Sequence, residues 1–168
     1  MLELKSKLNG YKKLKVYLDT SVISYLMQID VPDKMGKTLT LWEEFKIGNY
    51  KVCLSDVTIA EINKCDPKKL EYCNQKLGEI EYEKLEVTDA VFDLVDEIVR
   101  AGILPEKSLE DCQHIALAVL NKCDIIISWN FKHLVNIRTI QGIRKITQLK
   151  GYDDIEILTP ATLLDMEV

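Results

Sequence analysis

The chain has 168 residues, 47% hydrophobic and 29% charged, with a formal net charge of −5, a balance that suits one folded domain and excludes a disordered polar chain. No apolar run approaches the roughly 20 residues that span a bilayer, and the first residues, Met1-Leu-Glu-Leu-Lys-Ser-Lys7, lack the apolar stretch of a secretory leader. Five cysteines, an odd number without a Cys-x-x-Cys pair, argue against a disulfide framework or a thiolate zinc site, so free thiols in the cytoplasm are expected.

In chain order, residues 14–18 alternate and end at an acid, which predicts a strand. A helix is expected over 20–28, with Val22, Ile23 and Leu26 on one stripe. Residues 31–36, with Pro32 and Gly36, read as a loop, and 37–47 as a helix stopped by Gly48 and Asn49. A second strand is expected over 50–54. Ser55-Asp56 can cap a helix over 57–64, and Pro67 opens another over 68–80. A short strand over 84–87 follows, then a helix over 89–100 capped by Thr88 and closed by Gly102. Ser108 begins a helix to residue 122, and 124–128 is a buried strand rich in β-branched residues. Helical segments are expected over 131–149, a last strand over 155–158, and a terminal helix from Pro160. Alternating strands and helices predict an α/β fold with a mainly parallel sheet covered on both faces. In such sheets ligands gather beyond the carboxyl ends of the strands.

Oxygen-bearing side chains fall near those ends. Asp19 follows the first strand, Glu61 lies on the helix after the second, Asp111 begins the helix before the 124–128 strand, and Asn130 stands just past it. Each has a plain structural reading. Asp19 can cap a helix, Glu61 can be a solvated helix residue, and Asp111 can favour a helix N-terminus. Likewise, His114 can satisfy a local hydrogen bond, and Trp129 and Phe131 can form a crevice wall. Brought together, however, three carboxylates repel one another unless a cation lies between them. A hard divalent ion such as Mg²⁺ accepts carboxylate oxygens, keeps several waters, and stabilises charge growing on a phosphoryl oxygen. The expected metal ligands are Asp19, Glu61 and Asp111.

Charge is unevenly spread. Residues 79–97 carry eight acids and one lysine, whereas 130–150 carry no acid at all. Lys132, Arg138, Arg144 and Lys145 in that second stretch suit phosphate contacts, since basic side chains displace counterions from a polyanion. An ordinary solvated helix face is the alternative.

The motifs Asp19-Thr-Ser-Val22, Thr58-Ile-Ala-Glu-Ile62, Asp111-Cys-Gln-His-Ile-Ala-Leu-Ala118 and Asp124-Ile-Ile-Ile-Ser-Trp-Asn-Phe-Lys-His-Leu134 occur in an order that resembles the PIN-domain family, in its VapC-like branch. The motifs lie between about residues 15 and 137, and the last strand and helix extend the match over nearly the whole of 1–168 as a single domain. The resemblance implies a Rossmann-like three-layer α/β/α fold, a Mg²⁺- or Mn²⁺-binding acidic pocket, and endoribonuclease activity on single-stranded RNA. It also implies the toxin role of a type II toxin–antitoxin pair, an antitoxin partner and a homodimer. Asp19, Glu61 and Asp111 match the first three family acids. Asn130 stands where a fourth acid is expected, which puts a second metal ion in doubt. A binding module that has lost catalysis is therefore the alternative. A haloacid-dehalogenase-type phosphotransferase would need an acid where Ser21 stands, and a receiver domain would need an acidic pair before Asp19.

Overall fold

The computed structural model describes residues 12–166. Residues 1–7, where no secretory leader is expected, lie outside them. Five parallel strands form one sheet: β1 (Lys15–Leu18), β2 (Lys51–Ser55), β3 (Tyr82–Leu85), β4 (Ile125–Ile127) and β5 (Glu156–Leu158), in the order β3-β2-β1-β4-β5. The order reverses between β1 and β4, where Val16, Tyr17 and Leu18 pair with Ile125, Ile126 and Ile127. A crevice opens at such a reversal because the connections leave the two strands towards opposite faces.

The eight α-helices of the described residues are α1 (Thr20–Tyr25), α2 (Pro32–Lys46), α3 (Asp56–Ile62), α4 (Pro67–Leu77), α5 (Asp89–Arg100), α6 (Leu109–Leu120), α7 (Ile137–Lys150) and α8 (Pro160–Met166). Alternation along the strands divides the core. Val16, Leu18, Val52, Leu54, Ile125 and Ile127 pack with Val22, Leu41, Trp42, Cys73 and Leu163 on one face. Tyr17, Cys53, Leu85, Ile126 and Ile157 pack with Val91, Ile98, Ile115 and Ile143 on the other. Helices α1, α2, α4 and α8 thus cover one face, and α5, α6 and α7 the second, giving three layers. No helix of the described residues is long and apolar enough to cross a membrane. The cysteines are free thiols.

The element boundaries differ from the sequence reading in informative places. Residues 32–36 are not a loop but the first turns of α2, with Pro32 in the first helical turn and Asp33 beside it. A proline there loses nothing, because the first N–H groups of a helix have no partner within it. Residues 131–136 are a turn rather than helix, since Asn130 and Asn136 turn their side chains onto the backbone. Asn130 Oδ1 accepts from His133 N at 3.0 Å, and Asn136 Oδ1 accepts from Arg138 N at 3.0 Å, which caps α7. Thr88 precedes α5 but makes no side-chain cap bond. Helix α1 ends at Tyr25, and β3 spans Tyr82–Leu85 rather than 84–87. Ser55 caps α3 by accepting from Thr58 N, and Asp66 caps α4 by accepting from Lys69 N.

Candidate metal centre

The carboxyl ends of β1 and β4 build the site. The sheet ladder continues one step past β1, because Asp19 N donates to Ile127 O at 3.1 Å. That bond fixes Asp19 at the crevice mouth. Asp19 occupies the cap position of α1, yet its side chain makes no cap bond. Instead, Oδ2 accepts from the hydroxyls of Ser21, at 2.6 Å, and Ser128. Ser21 Oγ also accepts from Trp129 N at 2.8 Å, and Ser128 Oγ from Asn130 N at 2.9 Å. The loop after β4 is therefore tied to Asp19 through two serines. One carboxylate oxygen is held, and the other, Oδ1, faces His114 Nε2 at 3.7 Å.

Glu61 comes from the last turn of α3. Its Oε2 accepts from Thr20 Oγ1 and lies 3.1 Å from His114 Nε2. Asp111 and His114 lie three residues apart on α6, so they share a helix face. His114 is only 1% exposed. One donor atom from each of Asp19, Glu61 and His114 lies within 4.8 Å of the other two. Two carboxylates and an imidazole at that spacing form a donor set that fits a divalent ion.

Asp111 lies outside this group of three, on its rim. Its Oδ1 accepts from Asn130 Nδ2 at 3.0 Å. The assignment of the Asn130 amide follows from the backbone, because His133 N–H needs an acceptor and only Oδ1 can supply it. Asn130 therefore spends its carbonyl oxygen on the chain and its amino group on Asp111.

The electrostatics are mutual. Burial raises the Glu61 carboxyl, but the His114 hydrogen bond and charge and the Thr20 hydroxyl outweigh it and hold the group at about 2. Burial lowers the His114 imidazole, and the bond to Glu61 together with the charges of Asp19, Glu61 and Asp111 more than reverses this, leaving it raised. Burial also raises the Asp111 carboxyl, helped by Asp19 and Glu61 and opposed by His133 and His114. Asp111 and His114 each respond to the charges of Asp19 and Glu61, as groups sharing one small space do.

Aromatic rings wall one side. Tyr25 stacks on Trp129 at 5.8 Å between centroids, and Trp129 Nε1 donates to Thr38 Oγ1 at 2.8 Å. Lys34 Nζ sits over Tyr25, Trp129 and the half-exposed Phe131. Beyond the 131–136 turn runs a groove of about 660 Å³, whose lining includes Lys132, His133, Arg138 and Lys145. Gly142 and Ile103 are among its lining residues and pack closely, since a Cβ on Gly142 would come within 2.7 Å of Ile103 Cγ1. Arg144 does not line this groove and instead pairs with Glu156 at 3.6 Å.

Asp19 and Glu61 thus meet, with Asp111 and Asn130 as a hydrogen-bonded pair beside them. His114, read from sequence as a local hydrogen-bonding residue, stands at the centre. The usable signal was its position three residues after Asp111, where it interrupts an apolar run on the same helix.

No protein-family model matches the chain, and no curated protein matches it. Among solved structures, a chain in the crystal structure of VapBC2 from Rickettsia felis bound to a DNA fragment from their promoter matches with a TM-score of 0.56 and 12% sequence identity, covering 87% of this chain and 98% of that one. At that identity the likeness speaks for the fold, which is α/β and PIN-like.

Proposed function

We propose that the chain is a Mg²⁺- or Mn²⁺-dependent endoribonuclease that hydrolyses phosphodiester bonds of single-stranded RNA. The observation that carries the reading is the convergence of Asp19, Glu61 and His114 at the β1–β4 reversal, with Asp111 on the rim. Asp19, Glu61 and His114 would hold the ion, which when bound would supply Lewis-acid stabilisation of negative charge on the phosphoryl group. The chain's own contributions are positional. Ser21 and Ser128 orient Asp19, Thr20 orients Glu61, and Asn130 orients Asp111 towards the crevice. Lys132, Arg138 and Lys145 would contact backbone phosphates along the groove, which begins at the turn that Asn130 shapes.

In the same proposal the protein is cytoplasmic and acts as the toxin of a type II toxin–antitoxin pair, with an antitoxin protein as partner and a homodimer as its assembly. The VapC-like motifs and the likeness to a VapBC2 chain support this partner. Asn130 favours a second reading, a PIN-like module that binds RNA or protein without cutting, because a neutral amide holds the place of a fourth acid.

The test is cleavage of a mixed RNA pool with Mg²⁺, with Mn²⁺ and with EDTA, by the wild type and by Asp19→Asn and Asp111→Asn. Metal-dependent cutting that both substitutions abolish is the expected result. RNA binding without cutting under any metal would select the second reading. Equal cutting by all three proteins would assign the activity to a contaminant.

A further inference from the structure

A chain of buried hydroxyls behind His114 gives its Nδ1 hydrogen an acceptor. Thr58 Oγ1 donates to the Leu18 carbonyl at 3.3 Å, which uses its one hydrogen on a group that cannot donate in return. The contact between Ser55 Oγ and Thr58 Oγ1, 3.3 Å, is then a donation from Ser55. Ser55 having spent its hydrogen, Tyr17 Oη donates to Ser55 Oγ at 2.6 Å. Tyr17 having spent its own, the 2.6 Å contact with His114 Nδ1 is a donation from the imidazole. Each hydroxyl has one hydrogen to give, so the direction follows along the whole chain. Tyr17, Ser55, Thr58 and His114 are all buried, and no solvent competes for these bonds.

His114 therefore carries a hydrogen on Nδ1; in the metal-free protein Nε2 holds a second one towards Glu61, and losing that proton leaves a lone pair at Nε2. That nitrogen lies 3.1 Å from Glu61 Oε2 and 3.7 Å from Asp19 Oδ1. Glu61 Oε2 accepts the Thr20 hydroxyl as well, which holds that oxygen in place beside Nε2. A metal ion bound between the two carboxylates would take the place of that Nε2 proton, with the ring already aimed at it. A metal-ligating histidine typically donates its other N–H to a fixed acceptor, which locks the ring and the tautomer. Tyr17 occupies that place.

We propose that His114 Nε2 is a direct ligand of the ion held by Asp19 and Glu61, and that this mixed nitrogen–oxygen set selects a transition-metal ion such as Mn²⁺ over Mg²⁺. The inference rests on the metal-site reading above. Imidazole is a good ligand for borderline first-row ions, whereas Mg²⁺ prefers oxygen and retains its waters. Tyr17 is a positioning residue: it holds the ring and its tautomer without touching the ion.

The decisive measurement is pulsed electron paramagnetic resonance of Mn²⁺ bound to the full chain, read for modulation from a directly coordinated ¹⁴N. The wild type is expected to show it. His133→Gln is expected to keep it and His114→Gln to lose it, with the Mn²⁺/Mg²⁺ affinity ratio falling on the order of tenfold in His114→Gln. The wild-type spectrum decides even where the buried substitution unfolds the protein. Mn²⁺ that binds, is released by Asp19→Asn, and shows no ¹⁴N modulation would overturn the role of His114 while leaving the metal site standing. Modulation lost in His133→Gln but kept in His114→Gln would overturn it equally. Failure of the wild type to bind Mn²⁺ at all would remove the metal-site reading, and this inference with it.

Discussion

Asn130 and Asp111 form a hydrogen-bonded pair in which the amide donates to the carboxylate at 3.0 Å, while the other end of the same amide accepts His133 N. One neutral side chain thus orients an acid and shapes the turn that leads into the basic groove. Asn130→Asp would keep the acceptor for His133 N but set a second charge against Asp111. In EDTA the variant should be about 1–3 kcal/mol less stable to denaturant than the wild type. Mn²⁺ should restore more stability to the variant than to the wild type, because like charges gain most from a shared cation. Equal stability in EDTA would show that the two side chains do not interact.

Ser21 joins Asp19 to the loop after β4, donating to Oδ2 and accepting from Trp129 N. Ser21→Ala leaves the Trp129 N–H without that acceptor and frees the carboxylate. A loss of about 1–3 kcal/mol is expected, together with weaker Mn²⁺ binding. Urea unfolding and Mn²⁺ calorimetry on the same preparation check both. Unchanged Mn²⁺ affinity would mean that Ser128 alone positions Asp19.

The Glu61–His114 pair sets a pH window for the metal-free protein. Glu61 is held at about 2, below its ordinary 4.5, by the His114 hydrogen bond and charge acting against burial. A depressed carboxylate stabilises the fold above 4.5, and that stability is lost as pH falls towards 2. His114 is raised above its ordinary 6.5, by its bond to Glu61 and the nearby acids acting against burial. A raised imidazole stabilises the fold fully below 6.5, and that stability is lost as pH rises through its higher folded value. Stability in EDTA should therefore peak between about 4.5 and 6.5. Denaturation midpoints across pH test this, and in His114→Gln the alkaline fall should be absent. An alkaline limb identical to that of the wild type would assign it to another group.

The groove predicts which basic residues meet RNA. Lys132, Arg138 and Lys145 line it, whereas Arg144 is turned to Glu156. Removing the charge of Arg138 or Lys145 should lower the slope of log affinity against log salt by ~0.7 for single-stranded RNA. Arg144→Gln should leave the slope within error. A slope that falls for Arg144 and not for the other three would place the RNA elsewhere.

The sequence by itself determined the sheet and the edge where chemistry gathers. β-Branched strand runs and helix-period stripes are local patterns, so the order of strands and helices was legible, and Asp19 was legible as a strand-end acid because β1 stops there. Punctuation misled at Pro32 and Gly36, since proline marks both a turn and a helix start, and only burial of Thr38, Leu41 and Trp42 against the sheet decided for helix. Tertiary structure alone decided who touches whom. Asp19 and Ser128 are 109 residues apart and Tyr17 and His114 are 97 apart, yet both pairs are in hydrogen-bond contact. Such pairings follow from the parallel register of β1 with β4 and from α6 packing over it, not from any local spacing. The same holds for Asn130, whose amide orientation is fixed by the nearby His133 N–H and by the distant Asp111, 19 residues back in the chain. A residue type states which bonds a side chain can make; its partners are set by which elements the core brings to the same end of the sheet.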